Sequence, residues 1–267
     1  MLLKFLISFF FVGFVDAQCN GNTALCSRKY SNVTQIGTHD SAFVGVLPTD
    51  NQLLSVTDQL NAGIRFLQAQ THVKNGALEL CHTSCLEKDA GTLESYLSTV
   101  NTWMAANPNE VLTILLTNGD NADVSLFGTT VASSGISKYA YTPSSQLNYG
   151  ADTSKVPYIL DEFSYFFETA YDVTDKSFAT CALDRPPGNS GSGLMMIVNH
   201  FLDLDILGIL IPDELAASNT NAATGSGSIG AQADLCYSTW ERNPNLILVD
   251  YFELGNVFTA QNTLNGL

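Results

Sequence analysis

Residues 92–118 read TLESYLSTVNTWMAANPNEVLTILLTN, a helix pattern followed directly by a strand pattern. From Thr92 to Ala106 the apolar residues recur three or four positions apart, which is typical of one face of an amphipathic helix. Asn107-Pro108 ends this helix, because proline cannot continue it. Val111 to Thr117 is nearly all apolar, as in strands buried on both faces of a parallel sheet. This stretch therefore predicts an α/β fold.

The alternation of strand and helix patterns continues along the whole chain. Strands are predicted at Asn32 to Thr38, Ile64 to Gln70, Ala77 to Cys81, Val156 to Leu160, Tyr165 to Glu168, Leu194 to Asn199 and Leu246 to Val249. Further helices are predicted at Leu53 to Ala62 and around Val124, Phe127 and Val131. About eight strands in a chain of about 250 residues favour a distorted (β/α)8 TIM barrel in a single domain. A doubly wound open sheet is the alternative, but no glycine-rich phosphate loop follows the first strand.

Two stretches stand out by composition. Ala216 to Gly230 is rich in small and polar residues and carries no charge, which predicts a flexible surface loop. Phe201 to Pro212 is unusually apolar. One interpretation is a buried connection, and the other is an apolar lip that follows a strand end and touches a lipid.

The N-terminal residues have the layout of a secretory signal peptide. Lys4 precedes an apolar run from Phe5 to Val15, and the small residue Ala17 follows it. A membrane anchor is the alternative, but the run is too short to span a bilayer of roughly 30 Å. We expect a signal peptide at residues 1–17, one domain at residues 18–267, and a secreted, extracellular protein.

Six cysteines follow the signal peptide: Cys19, Cys26, Cys81, Cys85, Cys181 and Cys236. An even number of cysteines in an exported chain predicts disulfides that staple the fold. Proximity favours bonds within the first two and the middle two of these cysteines, which leaves the last two for each other. Six cysteines allow many pairings, so this pairing is a preference and not a deduction. A zinc site is the rival interpretation, but the spacings do not form paired CxxC motifs.

The formal net charge of −15 limits the possible partners. Nucleic acid is not expected, because its phosphates would repel an acidic protein. For the same reason, contact with an anionic membrane surface should be transient at most. Asn32 begins an Asn-Val-Thr glycosylation sequon, which can be used only if it is exposed. Nothing in the sequence indicates an oligomer, so we expect a monomer.

Histidines and one aspartate at predicted strand ends point to acid–base chemistry. His39 follows the first strand and His82 the third, and the C-terminal strand ends form the active-site face of a barrel. Asp250 ends the last strand, which lies beside the first in a closed barrel, so its carboxylate can orient His39. Each of these residues alone would usually have a structural role, but three such residues at separate strand ends favour an active site. The GxSxG serine motif is absent, so covalent catalysis is less favoured.

Six strings of the sequence, in order, carry a family resemblance. They are QIGTHDSAFVG (Gln35 to Gly45), VTDQLNAGIRFLQAQTH (Val56 to His72), GALELCHTSC (Gly76 to Cys85), NPNEVLTILLTN (Asn107 to Asn118), IVNHFLD (Ile197 to Asp203) and NPNLILVDYF (Asn243 to Phe252). Together they resemble the phosphatidylinositol-specific phospholipase C X-domain proteins, and most of all the secreted PLC-like phosphodiesterases of eukaryotic microbes. The resemblance extends from about Cys19 to the C-terminus, and it implies a distorted TIM barrel.

The resemblance implies roles for four residues. His39 corresponds to the general base, with Asp40 beside it, and His82 corresponds to the general acid. Asp250 corresponds to the aspartate that pairs with the first histidine. In the implied reaction a substrate hydroxyl attacks phosphorus, a diacylglycerol-type alcohol leaves, and a cyclic phosphate forms.

The second strand departs from the family pattern. Animal members have Glu and Asp there as calcium ligands, and bacterial members have Asp and Arg, but this chain has Gln68 and Gln70. Neutral amides cannot supply the positive charge that stabilises a phosphorane. We therefore expect no cofactor and no calcium site of the usual type. Gln68, Gln70, His72 and His200 are the candidate substrate-binding residues, and His72 shares the strand parity of Gln70.

Two functional hypotheses follow. The first is a secreted, metal-independent phosphodiesterase that acts on an inositol phospholipid, a glycosyl-inositol anchor or a similar phosphodiester. The second is a catalytically weak or inactive barrel that binds a ligand or surface, and it is motivated by Gln68 and Gln70. An enzyme that acts on another headgroup, with an atypical metal, is a further alternative.

Overall fold

The structure, a computed structural model, describes residues 19–145, 147 and 153–267. The signal peptide predicted at residues 1–17 lies outside the described residues and stays a prediction. Within the described ranges, no helix has the length and apolar character needed to cross a bilayer.

The structure contains ten strands and six α-helices within its described residues. The strands are β1 (Gln35–Thr38), β2 (Phe66–Lys74), β3 (Ala77–His82), β4 (Lys88–Thr92), β5 (Thr113–Asn118), β6 (Phe166–Glu168), β7 (Met195–Asn199), β8 (Asp203–Ile206), β9 (Ile209–Pro212) and β10 (Leu246–Val249). The helices are α1 (Val56–Ala62), α2 (Leu93–Ala106), α3 (Val124–Ser133), α4 (Glu214–Thr220), α5 (Ile229–Trp240) and α6 (Val257–Leu264).

Six parallel strands form the frame of the fold, in the order β5-β2-β1-β10-β7-β6. The first and last strands of the frame pair in register, with Gln35 opposite Leu246 and Thr38 opposite Val249. This pairing confirms the neighbouring positions expected of β1 and β10 in a barrel. Among the described residues β5 does not pair with β6, so the ladder is open there and the barrel is distorted.

The helices pack outside the frame and cover the core. Leu93, Leu97 and Val100 of α2 are buried, as the helical spacing predicts, and Thr92 caps the helix by accepting a hydrogen bond from Ser95 N at 3.1 Å. Among the described residues β2 is the only strand that pairs with β5, and β5 is half-buried along most of its length. The prediction that both faces of this strand are buried is therefore wrong.

Three further predictions need correction. The run Ala77 to Cys81 is a strand, but β3 is antiparallel to β2 and forms a hairpin with it, so it is not a barrel strand. Residues 156–160 form turns instead of a strand. Residues 216–230 are not a flexible loop: α4 and the start of α5 occupy most of them, and Thr220 and Ser228 are buried.

A further correction concerns residues 201–212. They do not form a buried connection, because β8 and β9 pair antiparallel in a separate two-stranded hairpin. The alternative, an apolar lip that touches a lipid, stays a prediction. The aliphatic side chains of this hairpin are largely exposed.

Disulfides staple three parts of the chain, and they confirm the preferred pairing. The bonds join Cys19 to Cys26, Cys81 to Cys85, and Cys181 to Cys236. The last bond links the segment before β7 to α5, and the middle bond closes the turn after β3. Asn32 is exposed at the end of a short 3-10 helix, so the predicted glycosylation site is sterically accessible, and the glycan itself stays a prediction.

Candidate active site

The site lies at the C-terminal ends of β1 and β10, where His39 and Asp250 directly follow the paired strands. The His39 backbone N–H continues the ladder by donating to Val249 O at 3.0 Å. Gly37 lets β2 approach closely, because a Cβ at this position would lie 2.7 Å from the Cβ of Phe66. The sequence GTHDS therefore places a histidine at the end of a tightly packed central strand.

His39 is held through its Nδ1 atom. This atom lies 3.0 Å from Asp250 Oδ1, and the amide of Asn51 donates to the same carboxylate oxygen at 3.1 Å. Donation from Nδ1–H to Asp250 leaves Nε2 free to exchange a proton with a ligand. Sequence reasoning predicted the Asp250 contact and missed Asn51, whose contact with Asp250 crosses 199 positions of the chain.

Asp40 joins the two catalytic candidates. Its Oδ2 atom lies 3.5 Å from His39 Nε2 and 3.5 Å from His82 Nε2, so the two Nε2 atoms are no farther apart than twice that distance. The Asp40 side chain is fully buried. Its backbone has a positive φ of 44°, a conformation that asparagine and aspartate adopt more readily than most other non-glycine residues. The structure thus brings His39, Asp40, His82 and Asp250 together, as predicted.

The two glutamines of β2 hold Asp40 in place. Gln68 Oε1 accepts a hydrogen bond from Asp40 N at 2.6 Å, and Gln70 Nε2 donates to Asp40 Oδ2 at 2.8 Å. Gln70 Oε1 also accepts from Thr83 N at 3.0 Å, which fixes the turn that follows His82. The amides predicted to bind substrate are therefore engaged in positioning the carboxylate between the histidines.

His82 reaches the site on the β3–β4 hairpin and not on a barrel strand. It lies opposite Lys88 in the antiparallel pair, so the two side chains share one face. Lys88 forms an ion pair with Asp50, which is almost fully buried. Asp50 precedes Asn51, so this ion pair fastens the hairpin that carries His82 to the loop that orients His39.

The carboxylates change the acidity of His39. Burial lowers the pKa of His39, but the neighbouring charges of Asp40 and Asp250 outweigh it and raise the pKa to about 9. Burial raises the pKa of Asp40, and the two histidines oppose that shift. At neutral pH the resting site therefore holds a proton on His39.

A phenyl ring and a further carboxyl group complete the surroundings of His39. The Phe201 ring stacks on the His39 ring with centroids 3.6 Å apart and planes 1° from parallel. Asp203, two positions later, begins β8, and its charge acts on His39. Burial, followed by the charge of Asp250, raises the pKa of Asp203 to about 7. Neither residue was identified from the sequence, although both lie in the string IVNHFLD.

The two other predicted substrate contacts lie elsewhere. His72 Nδ1 is 3.1 Å from Asp120 Oδ1 on the extension of β2, and no contact joins His72 to the described histidine pair. His200 is buried, with Nδ1 against Gln232 Oε1 and Nε2 2.8 Å from Thr220 O. Both of its ring nitrogens are used within the fold, so His200 supports the packing of β7 against α4 and α5.

The donor set does not fit a calcium ion. Calcium takes several carboxylate and carbonyl oxygens, whereas Gln70 turns its NH2 group towards Asp40 and Gln68 Oε1 accepts from a backbone N–H. Within residues 19–145, 147 and 153–267, no group of three or more His, Cys, Asp or Glu side chains is arranged to hold a metal.

Comparison with known proteins assigns the family. The PI-PLC X family model, described as PI-PLC X 1, matches residues 25–150 and 146–265. The chain is 46% identical over 276 residues to PI-PLC X domain-containing protein 1 of Arthroderma benhamiae, covering 94% of this chain and 90% of that protein. It is 41% identical to an uncharacterized secreted protein of the same organism, covering 90% of this chain and 61% of that one.

Solved structures show the same fold at low sequence identity. The phosphatidylinositol-specific phospholipase C of Listeria monocytogenes matches with a TM-score of 0.54 and 14% identity, covering 91% of this chain and 97% of that one. The F249X mutant of the Staphylococcus aureus phosphatidylinositol-specific phospholipase C matches with a TM-score of 0.54 and 13% identity, covering 88% and 92%. With the family match on sequence, these similarities identify the chain as a member of the PI-PLC X domain family.

Proposed function

We propose that the chain is a secreted, metal-independent phosphodiesterase with His39 as general base and His82 as general acid. Its substrate is an inositol phospholipid or a similar phosphodiester with a hydroxyl beside the phosphate. The observation that carries the proposal is the sharing of Asp40 Oδ2 by the Nε2 atoms of both histidines, each 3.5 Å away. A base and an acid at this separation can serve the attacking and leaving oxygens of one phosphorus.

The proposed reaction needs no protein nucleophile. His39 Nε2 removes the proton of the substrate hydroxyl while the hydroxyl oxygen forms a bond to phosphorus. The bond from phosphorus to the alcohol oxygen breaks, and His82 donates its proton to that oxygen. The products are a cyclic phosphate and a free alcohol. Asp40 lies between the two imidazoles, where it positions both and favours the protonated form of His39.

The positive charge for the transition state comes from the histidines in this proposal. Gln68 and Gln70 supply none, and Gln70 is bound to Asp40. The pKa of His39, raised to about 9 by Asp40 and Asp250 against the effect of burial, supports a charged imidazole at neutral pH. The base form then makes up about 1% of the resting enzyme at pH 7, so we expect kcat/KM to rise as the pH approaches 9.

Three observations support an extracellular location. Residues 1–17 have the pattern of a signal peptide, all six cysteines form disulfides, and one relative is named a secreted protein. Disulfides of this kind persist in oxidising compartments.

The test is release of cyclic inositol phosphate from phosphatidylinositol vesicles by purified mature protein in the presence of chelator. We expect wild type to release it, and His39→Ala and His82→Ala to lose activity by about a thousandfold or more. His72→Ala is the matched control, because His72 is paired with Asp120 outside the histidine pair. Equal rates for wild type and His39→Ala would contradict the proposed base.

The second candidate is a ligand-binding barrel without turnover. It is favoured by the neutral side chains of Gln68 and Gln70 on β2 and by the four acidic groups whose charges act at His39, namely Asp40, Asp172, Asp203 and Asp250. This candidate predicts saturable binding of inositol phosphate with no product. Hydrolysis that depends on His39 would exclude it.

A further inference from the structure

A short disulfide loop encloses His82. Cys81 and Cys85 are bonded across a sequence separation of 4, so His82, Thr83 and Ser84 lie between the two bonded cysteines. Cys81 is fully buried at the end of β3, and Cys85 is partly exposed in the turn that follows. The bond therefore constrains the backbone on both sides of the proposed general acid.

The imidazole of His82 has fewer side-chain contacts to orient it than that of His39. In His39, Nδ1 lies 3.0 Å from Asp250 Oδ1. For His82, the described part of the chain provides Asp40 Oδ2 at 3.5 Å from Nε2 and an edge contact with Phe43 at 5.2 Å between ring centroids, with no hydrogen bond at Nδ1. The direction of the His82 side chain must therefore be set mainly by the backbone that carries it.

The backbone next to His82 is held in a conformation that it would not keep by itself. Thr83 has a positive φ of 55°, which is unfavourable for a β-branched residue and persists only where the surrounding structure enforces it. The disulfide and the hydrogen bond from Thr83 N to Gln70 Oε1, at 3.0 Å, both hold this turn. Without the disulfide the turn can relax to an ordinary conformation, and the direction of the His82 side chain would change with it.

The disulfide is poorly placed to stabilise the fold as a whole. The stability that a disulfide adds grows with the length of the segment that it closes, and this bond spans 4 positions, whereas the bond between Cys181 and Cys236 spans 55. Both of its cysteines also lie on the β3–β4 hairpin, so it joins no two distant elements. Its main effect is therefore local, at the residue that it encloses.

We propose that the disulfide between Cys81 and Cys85 is a positioning element that keeps His82 Nε2 directed at Asp40 and at the leaving oxygen, and that reduction of this bond inactivates the site. The effect on turnover rests on the proposed phosphodiesterase function, whereas the effect on the direction of the imidazole does not. A thiol reductant supplies the two electrons and two protons that convert the bond into two thiols. Its attack falls on the Cys85 sulfur, because Cys81 is fully buried.

The experiment compares Cys85→Ala with the matched control Cys26→Ala. Cys85→Ala breaks the bond and leaves the buried Cys81 side chain in place, so kcat should fall by about a hundredfold while KM changes by less than about twofold. The NMR signals of the His82 ring, recorded without substrate, should shift and broaden. The bond of Cys26 lies next to Asn20, which binds Val111 before β5 at the opposite end of the strands, so Cys26→Ala should change neither readout.

Wild type supplies a second measurement that needs no variant. Dithiothreitol is added in steps, and alkylation with mass spectrometry gives the reduced fraction of each disulfide. The His82 ring signals and kcat should change in proportion to the reduction of the bond between Cys81 and Cys85. The bond between Cys181 and Cys236 should persist, because both of its cysteines are buried.

Other results would overturn the positioning role. Unchanged His82 ring signals in Cys85→Ala would do so, and so would unfolding of this variant or equal effects of Cys26→Ala. A loss of kcat that follows the reduction of another disulfide would have the same meaning. If wild type releases no product, the proposed function fails, and the His82 ring signals alone then decide whether the disulfide positions this side chain.

Discussion

Replacing Asp40 with asparagine tests how the site controls its proton. The substitution keeps the shape of the side chain, the positive φ and an oxygen that can accept from Gln70, so the fold should persist. A unit charge 3.5 Å from the imidazole of His39 contributes about 5 kcal/mol at an effective dielectric constant of about 20. Partial screening leaves a pKa change of roughly two to three units.

The pKa of His39 should therefore fall from about 9 to near its ordinary range in Asp40→Asn. Burial lowers this pKa in the variant as in the wild type, and Asp250, with a smaller effect from the charge of Asp203, remains to oppose it. The pKa can be followed by NMR titration of the His39 ring and by the pH dependence of kcat/KM. In wild type the rise in kcat/KM should continue to about pH 9, and in the variant it should end about two units lower.

The matched control is Asp120→Asn, which removes the carboxylate beside His72 instead. It should leave the His39 titration and the pH profile unchanged. If the Asp40→Asn protein still shows a His39 pKa near 9, Asp40 does not hold the proton, and its assigned role is wrong.

The other predictions concern the support of the two histidines. Asn51→Ala removes a donor to Asp250 and should lower kcat by about tenfold or more with little change in KM, as measured by steady-state kinetics. Lys88→Met leaves buried Asp50 unpaired and should lower the free energy of unfolding in urea by about 3 kcal/mol, whereas Lys74→Met, at an exposed pair, should change it little. Because the pKa of His39 is raised on folding, protonation of His39 stabilises the folded state fully below about pH 6.5, and this stabilisation is lost as the pH rises through about 9. The difference in the free energy of unfolding between wild type and His39→Gln should therefore shrink between about pH 6.5 and about pH 9. A constant difference from pH 6 to 10, or equal unfolding of both lysine variants, would contradict these assignments.

The order of the first and last strands could be predicted from the sequence, because the apolar runs mark the strands and the barrel topology fixes which strands are neighbours. The apolar run Leu246 to Val249 marks β10, and barrel closure places it beside β1. The contact between His39 and Asp250 follows from these two facts without knowledge of any side-chain conformation. Side chains at the C-terminal ends of adjacent parallel strands must meet, so this part of the site was accessible from sequence.

The β3 hairpin was missed although its signal was present. Asn75-Gly76 separates β2 from β3, and both residues have positive φ, as a two-residue hairpin turn requires. Read in this way, the run Ala77 to Cys81 could not be a parallel barrel strand, because a parallel strand needs a long crossover. His82 nevertheless reaches the site, since the hairpin folds back over the C-terminal end of β2.

Other errors came from contacts that no local pattern encodes. The small polar residues of 216–230 resemble a loop, yet Asn221 donates to Asp250 O at 2.8 Å and to Tyr251 O at 3.0 Å. Tertiary hydrogen bonds of this kind override composition. Asn51 and Lys88 were missed for the same reason, because their partners are distant in sequence or lie on another loop.

The glutamines of β2 explain how the site can lack the cation expected at that position. An arginine or a calcium ion beside Asp40 would neutralise the negative charge of its carboxylate. The neutral amide of Gln70 donates one N–H to this carboxylate and does not neutralise it, so the negative charge still acts on the neighbouring histidines. Asp40 then raises the pKa of His39, and the site carries positive charge on the His39 imidazole. A guanidinium or a calcium ion keeps its charge at every physiological pH, but an imidazolium loses it as the pH rises. Substituting Gln70→Arg should therefore lower the pKa of His39 and move the ascending limb of kcat/KM to lower pH, because the new cation competes for Asp40. If a folded Gln70→Arg protein shows the same ascending part of the kcat/KM pH profile as wild type, the residue at position 70 does not control the pKa of His39 through the charge of Asp40.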